Sequence, residues 1–203
     1  MQPDYSLCEF KVEARAKGIE TWKRLSGLIS IPADQQYITL CNVQDPNCKG
    51  TEIVQLKDIG VISSYSQFIG IDRDQQIIDQ NKIWIPEALW ICGEWSDAIR
   101  EIDNFNPALI YMDLTSWVCS DSVLNIIDST LHLCPINTVI LINVMINNPR
   151  SKRIFDNKYI VDNLPKTVPP SEMSKWSSNV YNFTYNASGK TEMQTYAMFK
   201  RKN

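Results

Sequence analysis

The chain has 203 residues, about one domain by size and long enough to bury a sizeable core. Hydrophobic residues make up 44% of it and charged residues 21%, close to ordinary globular usage, so the composition indicates neither a disordered chain nor a coiled coil. The net charge of −3 is unevenly spread: Ser30 to Ile146 carries 5 basic against 15 acidic residues, and Asn147 to Asn203 carries 10 against 4.

No apolar run approaches the ~18 residues that a membrane span requires, and Met1-Gln2-Pro3-Asp4 does not open a secretory leader. The expectation is a soluble, cytoplasmic protein with no membrane partner. Six cysteines without a C-x-x-C pair, and one histidine (His132), do not assemble a metal site, so the thiols are expected to be free. The basic final third could face an anionic partner such as nucleic acid, or could be an ordinary solvated surface.

The first ~30 residues read as a helix with Ile19, Trp22, Leu25 and Ile29 on one face, stopped at Ile31-Pro32. Tyr37-Ile38-Thr39-Leu40-Cys41 is a first strand, followed by a polar loop from Asn42 to Gly50. Thr51 can cap a helix through Ile53, Val54 and Leu56 that Gly60 ends. Gln67 to Ile71 is a second strand, running into Asp72-Arg73-Asp74. A helix carrying Ile77, Ile78, Trp84 and Ile85 then closes at Pro86.

Leu89-Trp90-Ile91 is a third strand ending at Gly93-Glu94. Trp95, Ala98, Ile99 and Ile102 recur at helical spacing. Ala108 to Met112 is a fourth strand ending at Asp113. Asp121 or Ser120 can cap a helix through Val123, Leu124, Ile127 and Leu131, and Thr138 to Ile142 is a fifth strand. After a polar stretch from Asn147 to Asn179, two further strands (180–185 and 191–199) flank a short loop containing Gly189.

Near-continuous apolar strands alternating with helices predict an α/β fold, a doubly wound, mostly parallel sheet, closed here by a C-terminal antiparallel hairpin. We expect a single domain with a helical extension (1–31), five βα units (36–146), a substrate loop (147–179) and the hairpin (180–200).

In such a sheet ligands bind beyond the carboxyl ends of the strands. Those ends carry the Asn42–Glu52 loop, Asp72, Gly93-Glu94 and Asp113. The turn at Gly50-Thr51 would direct backbone N–H groups at a ligand. A carboxylate after the second strand can accept from both hydroxyls of a ribose, and an acid after the third can accept from a purine amino group. Each carboxylate taken alone could equally be a helix-dipole partner or a cap. Together they suit an adenosine-containing ligand.

This order of motifs resembles the class I, Rossmann-like S-adenosylmethionine-dependent methyltransferase superfamily, from about Gln36 to the C-terminus. The resemblance implies methyl transfer with S-adenosylmethionine as cofactor, to an unidentified small-molecule, anionic or nucleic-acid acceptor. It places Tyr37–Glu52 in the first motif, with Cys41, Asn42, Gly50, Thr51 and Glu52 around the cofactor. Asp72 with Arg73 becomes the ribose-binding position, Gly93, Glu94 and Trp95 the adenine side, and Tyr111-Met112-Asp113-Leu114 the motif facing the methyl group. Asp113 would orient the acceptor or take its proton. Tyr111 or Trp117 would shape the methyl pocket. Arg150, Lys152 and Arg153 would contact an anionic substrate or simply be solvated. The first motif departs from the family's acid and G-x-G pattern: Leu40-Cys41-Asn42-Val43-Gln44 leads into a longer loop with one glycine. A methyltransferase-like fold kept as a non-catalytic interaction module is one alternative; a Rossmann protein using another nucleotide such as NAD is a second, against which the absence of G-x-G-x-x-G and the terminal hairpin weigh.

Overall fold

A computed structural model describes residues 9–117, 121–145, 174–176, 181–188 and 191–201. Helix α1 (Glu9–Ser26) precedes strand β1 (Gln36–Leu40), α2 (Glu52–Asp58), β2 (Phe68–Asp72), α3 (Gln75–Trp84), β3 (Leu89–Cys92) and the single turn α4 (Trp95–Ala98). Then follow β4 (Pro107–Trp117), α5 (Asp121–Leu133), β5 (Val139–Met145), β6 (Tyr181–Ser188) and β7 (Thr191–Phe199). The strands form one seven-stranded sheet in the order β3-β2-β1-β4-β5-β7-β6. The pairs among β1 to β5 are parallel, whereas β7 is antiparallel to both β5 and β6.

Each central strand is apolar on both faces because both are covered. On one face Ile38, Ile69, Ile71, Ile110, Met112, Ile140 and Ile142 pack with Trp95, Ala98 and Ile99 around α4 and with Ile127 and Leu131 of α5. On the other, Tyr37, Phe68, Leu109, Tyr111, Val139 and Leu141 pack with Ile19 and Trp22 of α1, Ile53 and Leu56 of α2, and Ile78 of α3. The second face is tight at two points. A Cβ on Gly18 would stand 2.9 Å from Leu141, and one on Gly70 would stand 2.4 Å from the Trp90 ring.

Three expectations are corrected. Helix α1 ends at Ser26, because Gly27 takes a left-handed φ of 72° and donates its N–H to the Lys23 carbonyl at 2.9 Å. Ile29 therefore lies beyond the helix and is 80% exposed. The helix expected from Trp95 to Ile102 is only α4, followed by tight turns, with its four apolar residues still buried. Strand β4 runs five residues past Met112, pairing Asp113 with Asn143 and Trp117 with Met145 across an irregularity. Segment 147–173, and with it Arg150, Lys152 and Arg153, lies outside the described residues. Among the described residues no helix is long and apolar enough to cross a membrane.

Candidate functional site

The strand order reverses between β1 and β4, the switch point at whose carboxyl ends such sheets bind ligands. β1 is last paired with β4 at Thr39 opposite Tyr111 and with β2 at Leu40 opposite Ile71. β4 continues beyond it. Alternation along β4 puts Asp113 on the same face as Leu109 and Tyr111, and along β2 it puts Asp72 on the face of Phe68. That is the face covered by α1, α2 and α3. Two carboxylates thus stand on one face, on strands two spacings apart, roughly 10 Å.

Asp72 closes β2, and its Oδ1 accepts from the Asp74 N–H at 2.8 Å. Partial burial raises its carboxyl above the usual range, against the lowering effect of that hydrogen bond. The Gly93 N–H donates to the Asp72 carbonyl at 3.0 Å, which binds the third strand end to the second. A Cβ on Gly93 would meet only Ala98, at 3.8 Å, so the edge there is open. Arg73 and Glu94 are exposed and face each other at 3.7 Å. Asp72, Arg73, Gly93 and Glu94 therefore lie together at the ends of β2 and β3. Trp95 does not join them. Its ring is 2% exposed and its indole N–H donates to Thr130 Oγ1 at 2.7 Å, because α4 turns inward onto α5.

The first loop is held from within. Asn81 of α3 is fully buried; it accepts from the Gln44 N–H at 2.8 Å and donates to the Asn42 carbonyl at 3.0 Å. Gln44 in turn accepts from the Ile53 N–H at 3.1 Å. Thr51 stands at the N-cap of α2, but its hydroxyl donates backwards to the carbonyls of Asp45 and Cys48 at 3.0 and 2.8 Å. The expected offer of α2 N–H groups to a ligand is thereby corrected at Ile53, whose donor is taken by Gln44. Arg15 of α1 donates to the Gly50 carbonyl at 2.7 Å and to Gln55 at 3.1 Å.

Glu52 points inward too. It is 5% exposed, accepting from the hydroxyl of Tyr37 and, at 3.4 Å, from that of Thr39. Burial lifts its carboxyl above the ordinary range, opposed by the Arg15 charge and the Tyr37 hydrogen bond. Burial, then the Glu52 charge, pushes the Tyr37 phenol well up. Cys41 is a buried free thiol, raised by burial and by the charges of Asp72 and Glu52. Cys41, Thr51 and Glu52 are buried and Gly50 is half-buried, so of the five residues expected around a cofactor on this loop Asn42 alone is exposed.

Asp113 is held at both oxygens. Its Oδ2 accepts from Lys11 Nζ of α1 and its Oδ1 from Asn143 Nδ2, each at 2.7 Å. Asn143 Oδ1 accepts from Thr195 Oγ1 of β7 at 3.2 Å. Tyr111, expected to shape a methyl pocket, is instead buried under α1 beside Gly18; the Trp117 side chain lies outside the described residues. Lys11 and Arg15 escaped the sequence reading. The signal was present: stepping back by four from Ile19 along the buried stripe of α1 gives Arg15 and then Lys11, where that stripe turns basic.

Neither a protein-family model nor a curated protein sequence matches the chain. Solved structures do. An S-adenosylmethionine-dependent methyltransferase from Clostridium acetobutylicum aligns over 96% of this chain and 93% of its own at 11% identity, with a TM-score of 0.57. A TehB-like SAM-dependent methyltransferase from Corynebacterium glutamicum aligns over 94% and 98% at 14% identity and a TM-score of 0.52. The [4+2]-cyclase SpnF aligns over 94% and 83% at 8% identity and a TM-score of 0.58. The chain has the fold of the class I S-adenosylmethionine-dependent methyltransferases, and at these identities the likeness is one of fold.

Proposed function

We propose that this protein is an S-adenosylmethionine-dependent methyltransferase. Its adenosine-binding edge is formed by Asp72, Arg73, Gly93 and Glu94, and Asp113 faces the acceptor. The observation that carries the reading is the placement of Asp72 and Asp113 on one sheet face at either side of the strand-order reversal. The residues present fit the cofactor on its adenosine side: a partly buried carboxylate is oriented by a backbone N–H, beside a glycine whose missing side chain leaves the edge open. On the side of the first loop they fit differently, since Asn81, Gln44 and Arg15 supply from within the hydrogen bonds that hold that loop.

The cofactor, when bound, supplies an electrophilic methyl group on a sulfonium. The chain's own contribution is then to hold two partners in line and keep water out. Asp72 would accept from the ribose hydroxyls. Glu94, at the exposed rim, would accept from the adenine edge. Asp113, fixed by Asn143, would orient the acceptor and take its proton.

Isothermal titration with S-adenosylmethionine, S-adenosylhomocysteine and NAD tests this. The first two should bind, and Asp72→Ala should weaken both by about ten- to a hundredfold, the usual worth of a charge-assisted acceptor, while the thermal transition stays in place. Binding by none of the three, or by NAD alone, overturns the reading. No binding at all would favour an interaction module built on this fold.

A further inference from the structure

We infer that the Asp113–Asn143 pair is an ammonium-binding subsite, filled in the free protein by Lys11, so that the acceptor is an amine. The inference rests on the methyltransferase reading for the word acceptor; the subsite itself stands on geometry. Thr195 donates to Asn143 Oδ1, which leaves the Asn143 carboxamide to present its N–H to Asp113 Oδ1. That relay fixes the carboxylate and reserves Oδ2 for a cation. The cation found there is a primary ammonium at 2.7 Å, with Lys11 and Asp113 side chains each only 17% exposed. A carboxylate anchored through one oxygen and open to a cation at the other is what recognition of R–NH3+ requires.

Lys11 is a replaceable occupant. It lies in the first turn of α1 on a four-carbon stem whose ordering costs rotamer entropy, which offsets part of its advantage over a free amine. Its companion one turn on, Arg15, is tied to Gly50 and Gln55 and keeps the helix in place when Lys11 leaves. In the transfer itself the bound ammonium would give a proton to Asp113. The freed nitrogen lone pair would then form the N–C bond, and the electron pair of the C–S bond that breaks would stay on sulfur. The products are a neutral thioether and an N-methylated ammonium, and the Asp113 proton passes to solvent.

The test uses the full chain and propylammonium, with propanol as the neutral isostere and no cofactor, so its outcome is separate from that of cofactor binding. Removing the occupant by Lys11→Met should raise propylammonium affinity by about ten- to a hundredfold over wild type, the worth of one charge-assisted hydrogen bond. Propanol affinity should not change, and adding Asp113→Asn should abolish the gain. In wild type, saturating propylammonium should shift the Lys11 Cε resonance in carbon NMR while Lys17 stays put, which keeps the test decisive even if Lys11→Met fails to fold. Equal gains for amine and alcohol, a gain that survives Asp113→Asn, or a Lys11 resonance that propylammonium leaves unmoved would overturn the inference.

Discussion

Replacing Gly70 by alanine puts a single methyl group into the least forgiving place on the sheet. The new Cβ would stand 2.4 and 2.6 Å from two Trp90 ring carbons and 2.9 Å from the Cys41 sulfur. That is roughly 1 Å short of van der Waals contact. The indole cannot simply step back. Its N–H donates to the Ile85 carbonyl at 2.8 Å, and its ring leans on Phe68, which stacks in turn on Tyr37, with centroids 5.5 Å apart in both pairs.

Overpacking of this kind costs about 1–3 kcal/mol, and loss of the indole hydrogen bond about 1 more. The sum is ~2–4 kcal/mol, or a fall in Tm of roughly 5–15 °C for a chain of this size. Two other glycines calibrate the effect. At Gly60, φ is 68° with open space around it, so Gly60→Ala should cost only the ~1–2 kcal/mol of a left-handed residue. At Gly93 an added Cβ makes ordinary contact with Ala98, so Gly93→Ala should stay within about 0.5 kcal/mol of wild type. Urea unfolding followed by tryptophan fluorescence measures all three. A Gly70→Ala variant no less stable than Gly60→Ala, or one whose cost is undiminished in a Trp90→Leu background, would refute the steric argument.

Three further outcomes follow from buried polar groups. Asn81→Ala should cost about 2–3 kcal/mol, because it strands the Gln44 N–H in the interior; hydrogen exchange should show the Gln44 amide losing protection before its neighbours in α2. Trp95→Phe should cost roughly 1–3 kcal/mol through the lost Thr130 bond and volume, and should leave S-adenosylhomocysteine affinity unchanged if the ring belongs to the core. Glu52 has its folded pKa raised above the ordinary 4.5, so the native state binds its proton more tightly than the unfolded chain does. Its charge therefore subtracts stability as pH rises from about 4.5 through the folded value, and the loss is complete above that. Glu52→Gln should flatten this acid-side slope in urea midpoints taken between pH 4 and 7.5; an unchanged slope would assign the pH dependence to other groups.

The sheet was legible in the sequence because its physics is local. Runs such as Ala108 to Met112 and Val139 to Ile142 are hydrophobic at every position, as a strand covered on both faces needs. The hairpin was legible from two strand-prone runs about Gly189, although β6 runs on to Ser188 through residues expected in the loop. The turn of α4 was misjudged because Trp95, Ala98, Ile99 and Ile102 keep helical spacing and remain buried, yet the helix itself lasts four residues. Asp72 and Gly93 could be set side by side from the sequence because a strand end is a position that the pattern fixes. What could not be read is where polar side chains turn. Gln44 and Asn81 look like solvated residues in a string of letters and Glu52 like a ligand contact, yet each is buried by a partner distant in the chain. Lys11 reaches Asp113 across 102 positions, a contact that exists only once α1 has docked on the sheet.

Amide exchange mapped with and without S-adenosylhomocysteine tests the central claim most directly. Protection should appear at residues 72–74 and 93–94, and not in the groove of about 480 Å³ between α4 and α5 where Ser96, Arg100, Asp128 and His132 gather on the opposite face. Protection confined to that groove, or none anywhere at saturating ligand, would contradict the account.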